Sequence, residues 1–86
     1  MKHAVTQRHH GDQYNRAAEV LIDGAARVTL RQCLKSPVDF KPEAPVLHWT
    51  APGGVDAEYA EAMAEALRQA AAIFRAWEAA TTQMAA

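Results

Sequence analysis

Four histidines and one cysteine are the residues of this 86-residue chain whose types could bind a metal or act as nucleophiles. His9 and His10 stand side by side in "TQRHHGDQYN", and Cys33 is the single cysteine. A metal site needs three or four converging ligands, typically at spacings such as Cys-x-x-Cys or His-x-x-x-His. The chain contains neither spacing, and its hydroxyl groups lie in no nucleophile elbow or glycine-rich loop. We therefore expect no enzymatic activity, no metal and no cofactor.

Length and cysteine content indicate one small domain in a reducing compartment. A chain of 86 residues can bury one modest core. One cysteine excludes an internal disulfide. The sequence shows no signal-peptide pattern and no apolar run near the length of a membrane span. We expect a single cytoplasmic domain over residues 1–86, without a membrane partner.

The segment "AEVLIDGAARVTL", residues 18–30, predicts a β-hairpin around Asp23-Gly24. A three-residue loop of Asp23, Gly24 and Ala25 would gather apolar side chains on one face, because a shift of one residue inverts every side chain. The cross-strand pairs would then be Ile22–Ala26, Val20–Val28, Ala18–Leu30 and Tyr14–Leu34.

A helix from Gln13 to Asp23, capped by Asp12, is the alternative for this segment. Tyr14, Ala17, Ala18 and Leu21 follow helical spacing, and Gly24 would end such a helix. The consecutive Val20-Leu21-Ile22 and the matched partner strand favour the hairpin.

Gly11-Asp12 predicts a second turn, which joins a strand near His3–His10 to the hairpin. A two-residue loop there pairs Val5 with Ala18 and His9 with Tyr14. Neighbouring strand residues point to opposite faces, so His9 would lie on the inner face and His10 on the outer face. The two rings could then not ligate the same metal.

The second half of the chain predicts a broken connection followed by a long helix. Residues 35–55 are rich in proline and glycine, and "VLHWT" at 46–50 is typical of a short edge strand. Asp56 is a suitable N-cap for a helix over residues 56–80. The apolar stripe of that helix consists of Tyr59, Met63, Leu67, Ala70, Ile73, Phe74 and Trp77.

These elements predict an α+β fold, in which an antiparallel meander of three or four strands packs against one long C-terminal helix. The meander occupies residues 1–34, and its inner face meets the helix. A small domain of this type has little room for a catalytic cleft. Binding to another protein or to a ribonucleoprotein complex is therefore the expected function.

Charge is unevenly distributed and suggests where a partner would bind. The first 35 residues hold six of the nine Lys and Arg residues but three of the ten Asp and Glu residues. The candidate interaction residues on the outer sheet face are Arg8, His10, Arg27 and Arg31, and Lys2 is expected on the same face. On the helix, the candidates are Glu61 and Glu65. Phe74 and Trp77, near a helix end expected to protrude, are the candidates for self-association into a homodimer.

An RNA- or DNA-binding module that uses Arg8, Arg27 and Arg31 is the second functional hypothesis. The proposed outer face offers no aromatic ring for base stacking, and the chain is slightly acidic overall, with a formal net charge of −1. Nucleic acid is therefore a less favoured partner than protein.

The arrangement of an Asp-Gly hairpin, "VLIDGAARVTL", before one alanine-rich helix, "AEYAEAMAEALRQAAAIFRAW", resembles small phage-encoded inhibitors that include some anti-CRISPR proteins. The resemblance covers most of the chain in layout and contains no diagnostic motif. It implies a non-catalytic protein that occludes a surface of a host complex such as a CRISPR effector.

Overall fold

The computed structural model describes residues 2–85, and the side chains of residues 2–83. Its strands are β1 (Val5–Gly11), β2 (Asn15–Ile22), β3 (Ala25–Cys33) and β4 (Val46–Trp49), and its helix is α1 (Ala57–Ala85). The strands form one antiparallel sheet in the order β1-β2-β3-β4, and α1 packs on one face. The predicted α+β architecture is confirmed. We call the face against α1 the inner face and the opposite one the outer face.

The β2–β3 hairpin has the predicted register along most of its length but a shorter turn. Val20 pairs with Val28 and Ala18 with Leu30, as expected, and the Leu34 N–H donates to the Tyr14 carbonyl at 2.7 Å. Near the turn, however, Leu21 pairs with Ala26 and Ile22 with Ala25. The predicted pair Ile22–Ala26 and the three-residue loop are therefore wrong. The helical alternative for residues 13–23 is excluded.

A favourable turn geometry explains the difference. Asp23 and Gly24 have φ angles of 52° and 82°, as in the type I′ turns that match the twist of hairpin strands and need positive φ at both central residues. The register then changes between Val20 and Leu21, which leaves Arg27 as the additional residue of a β-bulge. The strand thus contains, as a bulge, the additional residue that the predicted three-residue loop would have contained.

The β1–β2 connection is longer than predicted, and its register is shifted by four residues. Val5 pairs with Ile22 and His9 with Ala18, so the predicted pairs Val5–Ala18 and His9–Tyr14 are wrong. The carboxylate of Asp12 accepts hydrogen bonds from the N–H groups of Tyr14 and Asn15, at 2.8 and 2.9 Å. These bonds stabilise a wider turn and lower the pKa of Asp12.

The shift is an even number of residues, so each side chain keeps its predicted face. His9 lies opposite Ala18 at an inner position, and His10 lies opposite Ala17 at an outer position. The strand continues to Gly11, and the two rings therefore point to opposite faces, as predicted.

Three alanines of α1 are completely buried in the core between the helix and the sheet. Ala62, Ala66 and Ala70 have 0% exposed surface, and their spacing of four residues places them on one ridge. They pack in one cluster with the inner residues of β2 and β3, together with Met63 and Trp77. The predicted stripe included Ala70 but not Ala62 and Ala66, because alanine gives a weak hydrophobic signal in a helix that contains many alanines.

Side-chain hydrogen bonds cap the first turn of α1 and attach one of its last turns to the sheet. The carboxylate of Asp56 accepts the N–H of Tyr59 at 2.8 Å, which confirms the predicted N-cap. The helix continues to Ala85 instead of ending near residue 80. Thr81 Oγ1 donates to the Trp77 carbonyl at 2.7 Å and accepts a hydrogen bond from Gln32 of β3, so this turn is attached to the sheet. No helix within residues 2–85 is both long and apolar enough to cross a membrane.

The short strand β4 forms one edge of the sheet, as the sequence predicted. Leu47 lies opposite Leu30 on the inner face, and His48 lies opposite Thr29 on the outer face. The strand ends at Trp49, one residue before the predicted end.

The alanine ridge yields a test of the packing. We expect Ala66→Leu to lower the free energy of unfolding by about 1–3 kcal/mol, because the added side chain has no space between helix and sheet. Ala64→Leu makes the same change at an exposed position of α1 and should alter stability by less than about 0.5 kcal/mol. Urea unfolding followed by circular dichroism measures both; equal effects of the two substitutions would contradict the packing.

Candidate macromolecule-binding surfaces

The outer face of the sheet carries two rows of side chains that cross all four strands. One row contains Arg8, Glu19, Thr29 and His48, and the next contains His10, Ala17, Arg31 and Val46. Each row spans about 14 Å, from the usual spacing of neighbouring strands. The two arginines and two histidines are exposed. The structure therefore places the predicted residues Arg8, His10 and Arg31 on one surface.

Glu19 lies at the centre of this surface and neutralises part of its positive charge. Its Oε1 atom accepts hydrogen bonds from Arg8 Nε and Nη2 at 3.1 and 2.9 Å. His10 Nε2 lies 3.4 Å from the same oxygen. The hydrogen bonds from Arg8, aided by its charge and by His10, lower the pKa of Glu19. The surface thus has mixed charge, and Arg31 is its arginine without an ion pair to the described residues.

Arg27 and Lys2 lie apart from these rows. Arg27 occupies the bulge and, with Ala26, lies opposite Leu21 near the hairpin turn. Its Nε atom is buried and has no hydrogen-bond partner among residues 2–83. Lys2 Nζ lies 3.8 Å from a carboxylate oxygen of Glu58 on α1. The ammonium group of Lys2 is therefore directed toward α1 and does not extend the predicted basic stripe. Arg27 precedes the inner residue Val28 and so lies on the outer side of the sheet, nearer the hairpin turn than the two rows.

The acidic candidates Glu61 and Glu65 belong to a different surface, on α1. Glu61 is exposed. Glu65 accepts hydrogen bonds from Arg68 at 2.7 and 3.0 Å and from Gln69 at 3.2 Å, and these bonds lower its pKa. Gln69 in turn accepts a hydrogen bond from Gln7 of β1 at 2.8 Å. Glu65 thus takes part in a chain of contacts between helix and sheet.

Trp77 is buried, in contrast to the exposed position expected for it. It is 8% exposed, and the guanidinium of Arg16 lies over its ring at 4.6 Å. The aromatic ring belongs to the core, so a protruding helix end does not present it for self-association. Phe74, the other candidate, is half-buried at the rim of the core.

Arg16 and Gln32 form a polar network that sequence reasoning missed. Arg16 Nε donates to Gln32 Oε1 at 2.7 Å, and Gln32 Nε2 donates to the Glu43 carbonyl at 2.8 Å. Burial lowers the pKa of Arg16. The signal for this network was strand alternation, since Arg16 lies two residues before the inner residue Ala18 and Gln32 lies two residues after the inner residue Leu30.

Residues 36–41 form a hydrogen-bonded loop that exposes apolar side chains, which we call the Phe40 loop. The Ser36 N–H donates to the Lys41 carbonyl at 2.9 Å, and the Phe40 N–H donates to the Ser36 carbonyl at 2.8 Å. Val38 and Phe40 are nevertheless 89% and 69% exposed. Phe40 also has a φ of 60°, a conformation that bulky residues rarely adopt. The sequence indicated a proline-rich surface here but gave no sign that these side chains stay exposed.

His3 and Asp23 form the closest acid–base pair of the structure. His3 Nδ1 lies 2.5 Å from Asp23 Oδ2, and the His3 ring meets Tyr59 edge-on at 5.2 Å. The bond from His3 lowers the pKa of Asp23, aided by the Ala4 N–H. The pair attaches the N-terminal segment to the hairpin turn. Within the described residues, no three His, Cys, Asp or Glu side chains are placed to hold a metal ion.

No protein-family model matches the chain, and no curated protein or solved structure matches it. The resemblance to small phage-encoded inhibitors therefore stays a prediction. Function has to be inferred from the surfaces themselves.

The Arg8–Glu19 contact predicts a pH effect that depends on Arg8. Arg8→Gln removes the hydrogen bonds that lower the pKa of Glu19, and we expect its carboxyl to titrate at a higher pH in the variant. A lowered pKa stabilises the fold above the pKa of the unfolded chain, and that contribution is lost as pH falls through the folded pKa. The stability difference between wild type and variant should therefore shrink at acid pH.

Carbon-13 NMR of the Glu19 carboxyl measures this titration directly. Arg31→Gln is the matched control, because Arg31 is an outer-face arginine of the neighbouring row without an ion pair to Glu19. An unchanged Glu19 midpoint in Arg8→Gln would show that the contact is absent in solution.

Proposed function

We propose that this protein is a non-catalytic protein-binding domain whose principal contact is the Phe40 loop. The observation that carries the proposal is the exposure of Val38 and Phe40 on a loop closed by its own hydrogen bonds. A fixed loop loses little conformational entropy on binding. Aromatic anchors of this kind supply much of the energy of protein interfaces.

The backbone at Phe40 supports a functional role for that side chain. A non-glycine residue at φ of 60° costs about 1–2 kcal/mol relative to the right-handed region. The exposed ring recovers little of this cost by burial within the chain. Strained residues of this kind cluster at functional sites, where binding rather than folding accounts for them.

The surroundings of the loop indicate the chemistry of the partner. Tyr14, Lys35, Pro37 and Phe40 line a shallow depression of about 310 Å³. Lys35 Nζ lies 5.7 Å from the centre of the Phe40 ring, so a positive charge stands beside the apolar anchor. A protein with a pocket for one aromatic side chain and an acidic rim would complement this arrangement.

An inhibitor that occludes a surface of a host complex would act through such an anchor. A phage-encoded inhibitor of a CRISPR effector, in the cytoplasm of its host, is the finer form of the proposal. Its support is the resemblance in layout.

Nucleic-acid binding is the second candidate, and the outer face favours it. Arg8, His10, Arg31 and His48 are exposed there in two adjacent rows, which could contact phosphates. Glu19 at the centre of this face would repel the phosphates of a nucleic acid, because its pKa is lowered and its carboxylate stays ionised at neutral pH. The mixed charge makes this candidate weaker than protein binding.

Affinity capture from host cells with wild type and Phe40→Gly tests the proposal. Glycine removes the ring and adopts positive φ without strain, so the variant should keep its stability or gain up to about 1 kcal/mol. Val55→Ser is the control, because it removes an exposed apolar side chain elsewhere. We expect one protein or complex to be retained by wild type and Val55→Ser and reduced at least about tenfold with Phe40→Gly, since anchors contribute several kcal/mol.

Equal retention by Phe40→Gly would contradict the role of the loop. The second candidate is tested with a fluorescent single-stranded oligonucleotide at increasing salt. Affinity that falls steeply with salt and is lost in Arg31→Glu, but kept in the helix control Arg68→Glu, would favour nucleic acid instead.

A further inference from the structure

We propose that two copies of the chain associate through β4, so that their sheets join into one continuous antiparallel sheet. The proposal is independent of the Phe40 loop. It starts from a groove of about 610 Å³ between β4 and α1, whose lining includes Leu47, Trp49 and Phe74. Trp49 lies at an inner position opposite Val28 but is 62% exposed, because it extends past the area that α1 covers.

The backbone of β4 has free hydrogen-bonding groups beside this groove. The Thr50 N–H donates to the Arg27 carbonyl of β3 at 2.8 Å. His48, two residues earlier, lies opposite Thr29, so its N–H and C=O groups also point toward β3. Alternate residues of an antiparallel strand bond to the same side. The N–H and C=O groups of Leu47 and Trp49 therefore point away from β3, and no strand within residues 2–85 pairs with them.

Flanking prolines restrict how this edge can pair. Pro45 and Pro52 have no N–H group to donate and protect the edge from unspecific extension. A second copy can pair antiparallel with this edge around a twofold axis at His48. Leu47 of each copy then lies opposite Trp49 of the other, and the N–H and C=O groups of both residues form hydrogen bonds. A short edge of this kind thus selects one register.

The position of α1 leaves space that the second copy would fill. The helix packs over β2 and β3, and the proposed twofold axis lies just beyond β4. With a strand spacing of about 4.8 Å, the helix axis is then about 10 Å from the twofold axis. Two such helices would be about 19 Å apart, and a helix is about 10 Å in diameter. Trp49 and Phe74 of both copies project into the remaining gap.

Two residues of opposite charge on the rim of the groove could pair across this twofold axis. Arg75 and Glu78 both line the groove, and neither forms an ion pair with the described residues, whereas Arg68 and Glu65 are paired at 2.7 Å. A twofold axis brings Arg75 of each copy toward Glu78 of the other, as an isologous interface requires. This reciprocity favours a second copy over an unrelated peptide.

Sedimentation equilibrium across the micromolar range tests the association. Wild type should show a mass that rises with concentration toward twice that of one chain. Arg75→Glu and Glu78→Arg should each weaken the dimer at least about tenfold, because each places like charges together. The double substitution Arg75→Glu with Glu78→Arg restores both pairs and should return the dissociation constant to within about threefold of wild type.

The double exchange Glu65→Arg with Arg68→Glu is the control, since it reverses an ion pair of α1 whose residues do not line the groove. It should leave the dimer unchanged, as should Phe40→Gly, which separates this proposal from the proposed function. A monomeric wild type at every concentration would overturn the proposal. Single variants that dimerise normally, or a double variant that stays as weak as the single ones, would also overturn it.

Amide exchange gives a second readout that does not depend on side-chain substitution. The N–H groups of Leu47 and Trp49 should exchange more slowly as the protein concentration rises, because they donate hydrogen bonds in the dimer. Exchange at these two positions that is independent of concentration would contradict strand pairing.

Discussion

The close approach of α1 to the sheet, through Ala62, Ala66 and Ala70, determines which surfaces of the protein are available. These side chains have no exposed surface, so the helix backbone lies near the inner residues of β2 and β3. Larger residues would move the helix away and open the core. One helix can cover only part of one face of a four-stranded sheet, and within residues 2–85 no other helix or strand covers the outer face or the β4 edge.

The far end of the helix is attached by polar contacts instead of small residues. Arg16 lies over Trp77 and donates to Gln32, and Gln32 donates both to Thr81 of the helix and to the Glu43 carbonyl. Arg16 is half-buried, and removing part of an arginine from water is costly unless its charge is stabilised. The Trp77 ring and the Gln32 side-chain oxygen supply part of that stabilisation. The contact with Glu43 also attaches the connection that contains the Phe40 loop. Core packing and presentation of the loop are thus coupled.

The features that could be predicted from the sequence are those that depend only on neighbouring residues, such as strand alternation and helix capping. Strand alternation placed His9 correctly on the inner face and His10 on the outer face although the register of β1 was wrong, because the error was an even number of residues. Asp56 was predictable as an N-cap since its carboxylate needs only the local N–H groups. The α+β arrangement followed from these local patterns.

The remaining features depend on contacts between distant residues. The width of the first turn depends on which N–H groups the Asp12 carboxylate accepts, and the bulge at Arg27 depends on the twist of the hairpin. Trp77 was predicted to be exposed because its cation partner, Arg16, lies 61 residues earlier in the sequence. The Phe40 loop is the exception, because it is closed by local hydrogen bonds of Ser36, yet no short sequence motif predicts it.

Methyl NOE measurements by NMR test the central claim, the packing of the alanine ridge on one face of the sheet, most directly. The methyl groups of Ala62, Ala66 and Ala70 should show NOEs to those of Val20, Val28 and Leu30, and none to the methyl groups of Ala17 or Thr29 on the outer face. Contacts from the ridge to the outer face, or no contacts to Val20 and Val28, would contradict the structure on which both proposed surfaces depend.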